Sequence, residues 1–360
     1  MTHPSAPLRV IAGLTLTLTL ALTLALPLPA GAASPVHATP SQAQGPARAP
    51  ADRLAPDQVF TFPGGPDGAV EAGVWLPARP ADGRPAPLVV FSHGNAGGFR
   101  GHADTARALA DAGFVVAALT HPGDNYRDTR RSTQLTARAP QLSRLIDYMV
   151  GEGAMRPGAV PVDPDRIGAF GFSAGGFTVT SAIGGVSDAA AIGAHCLAHP
   201  AVFACRLLDA KGIDLSTWRP RTRDGRIKAA VIAAPALGFS FTSDSLAAIR
   251  IPVQLWQAGA DATLPAPDNV EPIRDRLGRA PEYHRVTGAG HYDFMPPCSP
   301  GLAAAAPQIC APTPGFDRAA FHRDFNREVV RFFRETLQEP QSRSNAPAPP
   351  APGRTPPPRE

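Results

Sequence analysis

The segment Gly171-Phe172-Ser173-Ala174-Gly175 sets a serine between two glycines, each two positions away. A serine hydroxyl at its free pKa is a weak nucleophile; to attack a carbonyl carbon it needs a base to take its proton and a carboxylate to orient that base. G-x-S-x-G carries this chemistry when it joins a strand to a helix, because the serine then stands on a tight turn with a helix N-terminus behind it, which favours developing negative charge. In that arrangement the acid and then the histidine follow the serine in the chain. Asp261 lies in Gln257-Ala258-Gly259-Ala260-Asp261, the loop after a later strand, and is the expected acid. Asp268 reads as a helix cap, and Asp293 sits too near the histidine in sequence to point at it. His291 stands in Gly288-Ala289-Gly290-His291-Tyr292-Asp293-Phe294, where the preceding glycines let the loop reach the serine. His284, within a strand, and His322, on the closing helix, read as structural. The charge that forms on the attacked carbonyl oxygen calls for two backbone N–H donors. Ala174 supplies one; the other is expected from Asn95 in the small-residue run His93-Gly94-Asn95-Ala96-Gly97-Gly98, where His93 shapes the loop rather than titrating.

These residues need a sheet to hold them. Short β-rich runs alternate with helical stretches, which implies an α/β fold with a mainly parallel sheet covered by helices. Strands are predicted over residues 69–76, 88–92, 114–119, 166–171, 227–233, 253–257 and 282–286. Helices are predicted over 101–112, 141–150, 243–249 and 316–337, the last with Phe321, Phe325, Val329 and Phe332 at core-facing spacing. Residues 184–226 lack strand character and hold one cysteine pair and Trp218, so they are the place for a cap over the site; a plain connecting helix and loop is the competing reading.

Hydrophobic residues at 44% and charged residues at 18% are those of a folded protein. The 42 prolines crowd the two ends. Arg9, the apolar run 10–26 and Ala30-Gly31-Ala32-Ala33 read as a secretory signal peptide over 1–33, without a lasting membrane anchor. A Pro/Ala-rich disordered segment follows over 34–54, then one catalytic domain over 55–338 and a disordered Pro-rich tail over 339–360. A formal charge of +4, with basic residues spread out apart from pairs such as Arg130-Arg131, gives no nucleic-acid footprint. Export, to the periplasm or outside the cell, puts the four cysteines where disulfides form. Of the three pairings, the sequence neighbours Cys196 with Cys205 and Cys298 with Cys310 are expected. No spacing suits a metal, and no cofactor is expected.

Phe91-Ser92-His93-Gly94, Thr120-His121-Pro122-Gly123-Asp124, Gly171-Phe172-Ser173-Ala174-Gly175-Gly176, Pro235-Ala236-Leu237-Gly238 and Gly290-His291-Tyr292-Asp293-Phe294 together resemble the dienelactone-hydrolase-like branch of the α/β-hydrolase superfamily. Within it they are close to platelet-activating-factor acetylhydrolases and bacterial polyester hydrolases. Ser173 stands where dienelactone hydrolases carry cysteine, and Ala174 where polyester hydrolases carry methionine. The resemblance implies the α/β-hydrolase fold, Ser173, Asp261 and His291 as triad, and Asn95 and Ala174 as oxyanion donors. It also implies a serine esterase of short acyl chains, acting on small, lipid-like or polyester-like esters; a monomer is expected. An acyltransferase on the same triad, a peptidase, and a non-catalytic binding protein of this fold are the alternatives.

Overall fold

The computed structural model describes residues 53–78, 83–212, 215–220 and 223–338. The expected leader, nearly all of the segment 34–54 and the tail 339–360 lie outside the described residues. The described chain forms eight strands: β1 (Gln58–Pro63), β2 (Ala69–Trp75), β3 (Ala86–Ser92), β4 (Val115–Leu119), β5 (Val162–Phe172), β6 (Ile227–Ala233), β7 (Val253–Ala258) and β8 (Glu282–Val286). Its helices of eight or more residues are α1 (Ala103–Asp111), α2 (Arg138–Val150), α3 (Ala174–Ala182), α4 (Ala189–Ala198), α5 (Phe203–Ala210) and α6 (Arg318–Phe333).

One sheet holds the strands in the order β1-β2-β4-β3-β5-β6-β7-β8. β1 pairs antiparallel with β2 and β2 antiparallel with β4; from β4 to β8 every pair is parallel. The central strands are apolar at consecutive positions because both faces are covered. On β3, Leu88 and Val90 face one core layer while Val89 and Phe91 face the other. The first layer takes Leu142, Leu145 and Ile146 of α2 and Phe177 and Val179 of α3. The second takes Leu109 of α1 and Phe325, Val329 and Phe332 of α6.

The mainly parallel architecture and all seven expected strands are present. The expected 316–337 helix runs as α6 and passes into a wider π turn at Arg334–Gln338. β1 was not expected, and it adds an antiparallel edge next to β2.

Candidate active site

In a parallel sheet the carboxyl ends of the strands open on the same side, and loops leaving neighbouring strands meet there. β3 and β5 are neighbours, with Ser92 opposite Gly171, so the loop carrying Asn95 and the turn carrying Ser173 lie side by side. The loops after β7 and β8 bring Asp261 and His291 to the same edge, tied together by the Ala260 amide donating to the Ala289 carbonyl at 2.8 Å.

Ser173 adopts φ 57°, ψ −120°, a conformation costly to any residue with a Cβ. Its neighbours explain how the turn persists. A Cβ on Gly171 would lie 2.1 Å from the Gly175 carbonyl oxygen, and one on Gly175 would lie 1.9 Å from the Ser92 carbonyl oxygen. Only glycine lets β5 end and α3 begin this close to β3. The Ser173 amide donates to the Ala233 carbonyl at 3.0 Å, and its carbonyl accepts from Ala236 at 3.1 Å, so β6 braces the turn from the other side.

Ser173, His291 and Asp261 form one hydrogen-bonded row. His291 Nε2 is 3.0 Å from Ser173 Oγ, and His291 Nδ1 is 2.7 Å from Asp261 Oδ2. A carboxylate only accepts, so Nδ1 carries the ring proton and Nε2 is the acceptor facing the serine. Asp261 Oδ1 accepts from the amides of Thr263 at 2.9 Å and Leu264 at 2.7 Å, which fixes the carboxylate plane. The His291 and Asp261 side chains are each 4% exposed, so water does not compete for these bonds.

The other candidates have structural partners. Asp293 accepts from Gly290 at 2.8 Å and from Arg318 Nε at 3.0 Å, and thus braces the His291 loop from behind. Arg318 also donates to the carbonyls of Ile309, Cys310 and Ala311, anchoring the segment closed by Cys298–Cys310. His284 stacks on Trp256 in β8, and His322 joins Asp104 to the Asp293 carbonyl. Asp268 differs from expectation: the short helix Ala266–Asn269 is entered through Pro265 with no side-chain cap, and Asp268 stands inside its first turn.

The backbone amides of Ala174 and Asn95 donate to no protein acceptor among the described residues. Both residues line one cavity with Ser173. The Asn95 loop is held by a buried group absent from the sequence reading. Asp124 accepts from the Ala96 amide at 2.8 Å, Asn95 Nδ2 at 3.1 Å and Arg138 Nη1 at 2.7 Å. Ala96 sits at φ 54°, so Asp124 clamps a strained residue next to the expected donor. Arg138 also donates to the His93 carbonyl, and His93 Nε2 accepts from the His121 amide at 3.0 Å. Burial pushes the Asp124 carboxyl up despite Arg138 and the Ala96 amide, and burial pushes Arg138 down despite Asp124. His93 and His121 are held well below the ordinary histidine value, by burial first and by Arg138 second. A signal for this group exists in the sequence: Arg138 and Gln141 share the buried face of α2 with Leu142 and Leu145.

Part of the stretch expected as a cap does reach the serine cavity: α5. Phe203, Ala204, Leu207 and Leu208 of α5 line the cavity opposite Ser173 and Ala174. Leu135, Ala236, Leu237 and Leu264 complete an apolar wall, and Ser132 contributes a buried hydroxyl with no hydrogen-bond partner among the described residues. The cavity is about 40 Å³. Cys196–Cys205 bonds α4 to α5, and Cys298 bonds to Cys310, the pairs expected.

No protein-family model matches the chain, and no curated protein matches it. Solved structures do resemble it. A ferulic acid esterase from Streptomyces cinnamoneus aligns at 19% identity and TM-score 0.52, over 81% of this chain and 92% of that one. A Pyrococcus horikoshii acylaminoacyl peptidase aligns at 14% and 0.51, and a Mycobacterium tuberculosis puromycin-hydrolyzing peptidase at 17% and 0.50. Those two alignments cover 79% and 78% of this chain, which spans only 42% and 39% of the peptidases' own length. The fold is that of the α/β-hydrolases.

Proposed function

We propose that this protein is a serine hydrolase of carboxylic esters with short acyl groups. The observation that carries the reading is the buried row Asp261–His291–Ser173 ending at an apolar cavity. In this reading Ser173 Oγ attacks the ester carbonyl carbon while His291 Nε2 takes its proton, and Asp261 stabilises the imidazolium that forms. The amides of Asn95 and Ala174 receive the negative charge on the carbonyl oxygen. Collapse of the tetrahedral intermediate breaks the carbon–oxygen bond, and His291 gives its proton to the leaving alcohol. Water, deprotonated by His291, then attacks the acyl-enzyme and releases the acid.

The cavity supports a short acyl group. Its apolar lining and small volume, about 40 Å³, favour a small acyl group such as acetyl to butyryl. The motifs support membership of the dienelactone-hydrolase-like branch, and the disulfides support a secreted or periplasmic enzyme.

The test is hydrolysis of p-nitrophenyl esters from acetyl to long acyl chains by the wild-type protein and its Ser173→Ala variant. Activity highest at two to four carbons and lost in the variant is the expected result. Activity surviving Ser173→Ala, or none with any ester, overturns the reading. An added alcohol acceptor turned mainly into a new ester would mark an acyltransferase, and preference for a matched amide a peptidase.

A further inference from the structure

Next to the acyl cavity lies a groove of about 860 Å³ whose lining includes Arg130, Arg131, Arg144, Lys211 and Arg219. Asp67 is the one carboxylate among its described lining residues. Among the described lining residues five cations thus face one carboxylate, with Arg130 also paired to Asp128 at 3.0 Å, and the cations come from separate stretches of sequence. Asp67 is already engaged, by Arg131 at 2.8 Å and Gln141 Nε2 at 2.8 Å. Lys211 Nζ meets the Thr129 hydroxyl at 3.3 Å, and Arg219 donates to the carbonyls of Ser216 and Trp218. Among the described residues, neither of these two cations has a carboxylate partner.

The groove adjoins the catalytic cavity. Thr133 lines both. Leu208 of α5 lines the cavity, and Lys211, three residues on, lines the groove. A concave surface of one sign concentrates its field and draws in ligands of the other, and guanidinium groups match the paired oxygens of carboxylate and phosphate.

We propose that the groove receives an anionic group on the alcohol side of the substrate, so that the enzyme prefers short-chain esters whose leaving alcohol bears a carboxylate or phosphate. This rests on the ester-hydrolase reading and adds its substrate class. The small apolar cavity takes the acyl group, and the cations hold the alcohol part where it leaves.

The experiment compares 4-acetoxybenzoate, an anion, with its neutral methyl ester, both acetyl esters of a phenol. The wild-type protein and a Lys211→Gln/Arg219→Gln double variant are assayed at low salt and at high salt. At low salt the variant's anionic-to-neutral ratio of kcat/KM is expected to fall about tenfold, from at most about fivefold per exposed charge. The neutral ester's rate should hold, and salt should erase the difference. An acetyl phosphate-monoester substrate in place of the benzoate distinguishes the two anions. Hydrolysis of both esters at a ratio unaltered by the variant overturns this inference alone, whereas no hydrolysis of either overturns the ester-hydrolase reading beneath it. Binding to phosphatidylglycerol vesicles that the double variant loses, with the ester ratio unchanged, would assign the cations to a membrane surface and overturn the inference as well.

Discussion

Replacing Asp124 with leucine removes the acceptor that holds the Asn95 loop and strands a cation. Arg138 is 2% exposed, and its partner's side chain 3%. Losing one member of such a pair typically costs about 3–5 kcal/mol, because the remaining charge stays buried without compensation. At roughly 2–3 °C per kcal/mol for a domain of this size, Tm should drop by about 6–15 °C. Arg138→Met should cost a similar amount. The directions in which burial moves both groups show that desolvation outweighs their mutual attraction, so Asp124→Leu/Arg138→Met should be far less destabilised than the sum of the singles. Activity should not follow stability. The double variant has no acceptor for the Ala96 amide and leaves Asn95 Nδ2 only the Ser132 carbonyl at 3.3 Å, and a displaced oxyanion donor lowers kcat by about 10²-fold with little change in KM. Urea unfolding at pH 7 gives the stabilities, and p-nitrophenyl acetate hydrolysis gives kcat and KM. Additive destabilisation, or wild-type kcat in the double variant, would refute the reasoning.

Asp261→Asn should lower kcat by about 10⁴-fold with the fold intact, since an amide can donate to Nδ1 and invert the histidine tautomer; unchanged far-UV dichroism with lost turnover is the check. Gly175→Ala must push α3 away from the Ser92 carbonyl, so expression with full activity would contradict the packing at the turn. Leu207→Ala should move the acyl optimum to longer chains by opening the cavity wall, as read from the p-nitrophenyl ester series. His102 is lowered to about 4 by burial first, against the pull of Asp104 and with the push of His322. Its unfolded form takes up a proton below about pH 6.5 while the folded form does not, so stability falls with pH across that window. The loss reaches about 2 kcal/mol by pH 5, and His93 and His121 add in the same direction. Urea midpoints at pH 7 and pH 5 test it, and His102→Phe should shrink the difference by about 2 kcal/mol, leaving the part due to His93 and His121.

The meeting of Ser173, Asp261 and His291 was legible because each sits in a glycine-rich loop at the end of an apolar strand, and the fold leaves little choice of where such loops go. β1 was not legible: Val59 faces solvent and blurs the alternation that would mark a half-buried strand. α4 hid for a related reason. It is apolar around most of its circumference, with only Ile192 fully buried, so no helical stripe stands out. The clamp on Asn95 was legible only in part: Arg138 and Gln141 on the core face of α2 hint at it, but its members Asp124, Arg138, His93 and His121 meet only through tertiary packing. The basic groove was equally hidden, since five cations from four stretches look scattered until the chain folds.

The roof over the serine is a detour with its ends tied. It leaves the sheet after α3 and returns before β6, and at its base the Asp224 amide donates to the Ala182 carbonyl at 2.7 Å. A stretch pinned at its base can change length or content at little entropic cost to the rest, since each doubling of a loop adds only about 0.6 kcal/mol. Descent could therefore exchange this cassette as a unit. The hydrogen-bonded row Asp261–His291–Ser173 would be inherited intact while the wall of the neighbouring cavity was rewritten, with Cys196–Cys205 travelling inside the cassette as its own fastening.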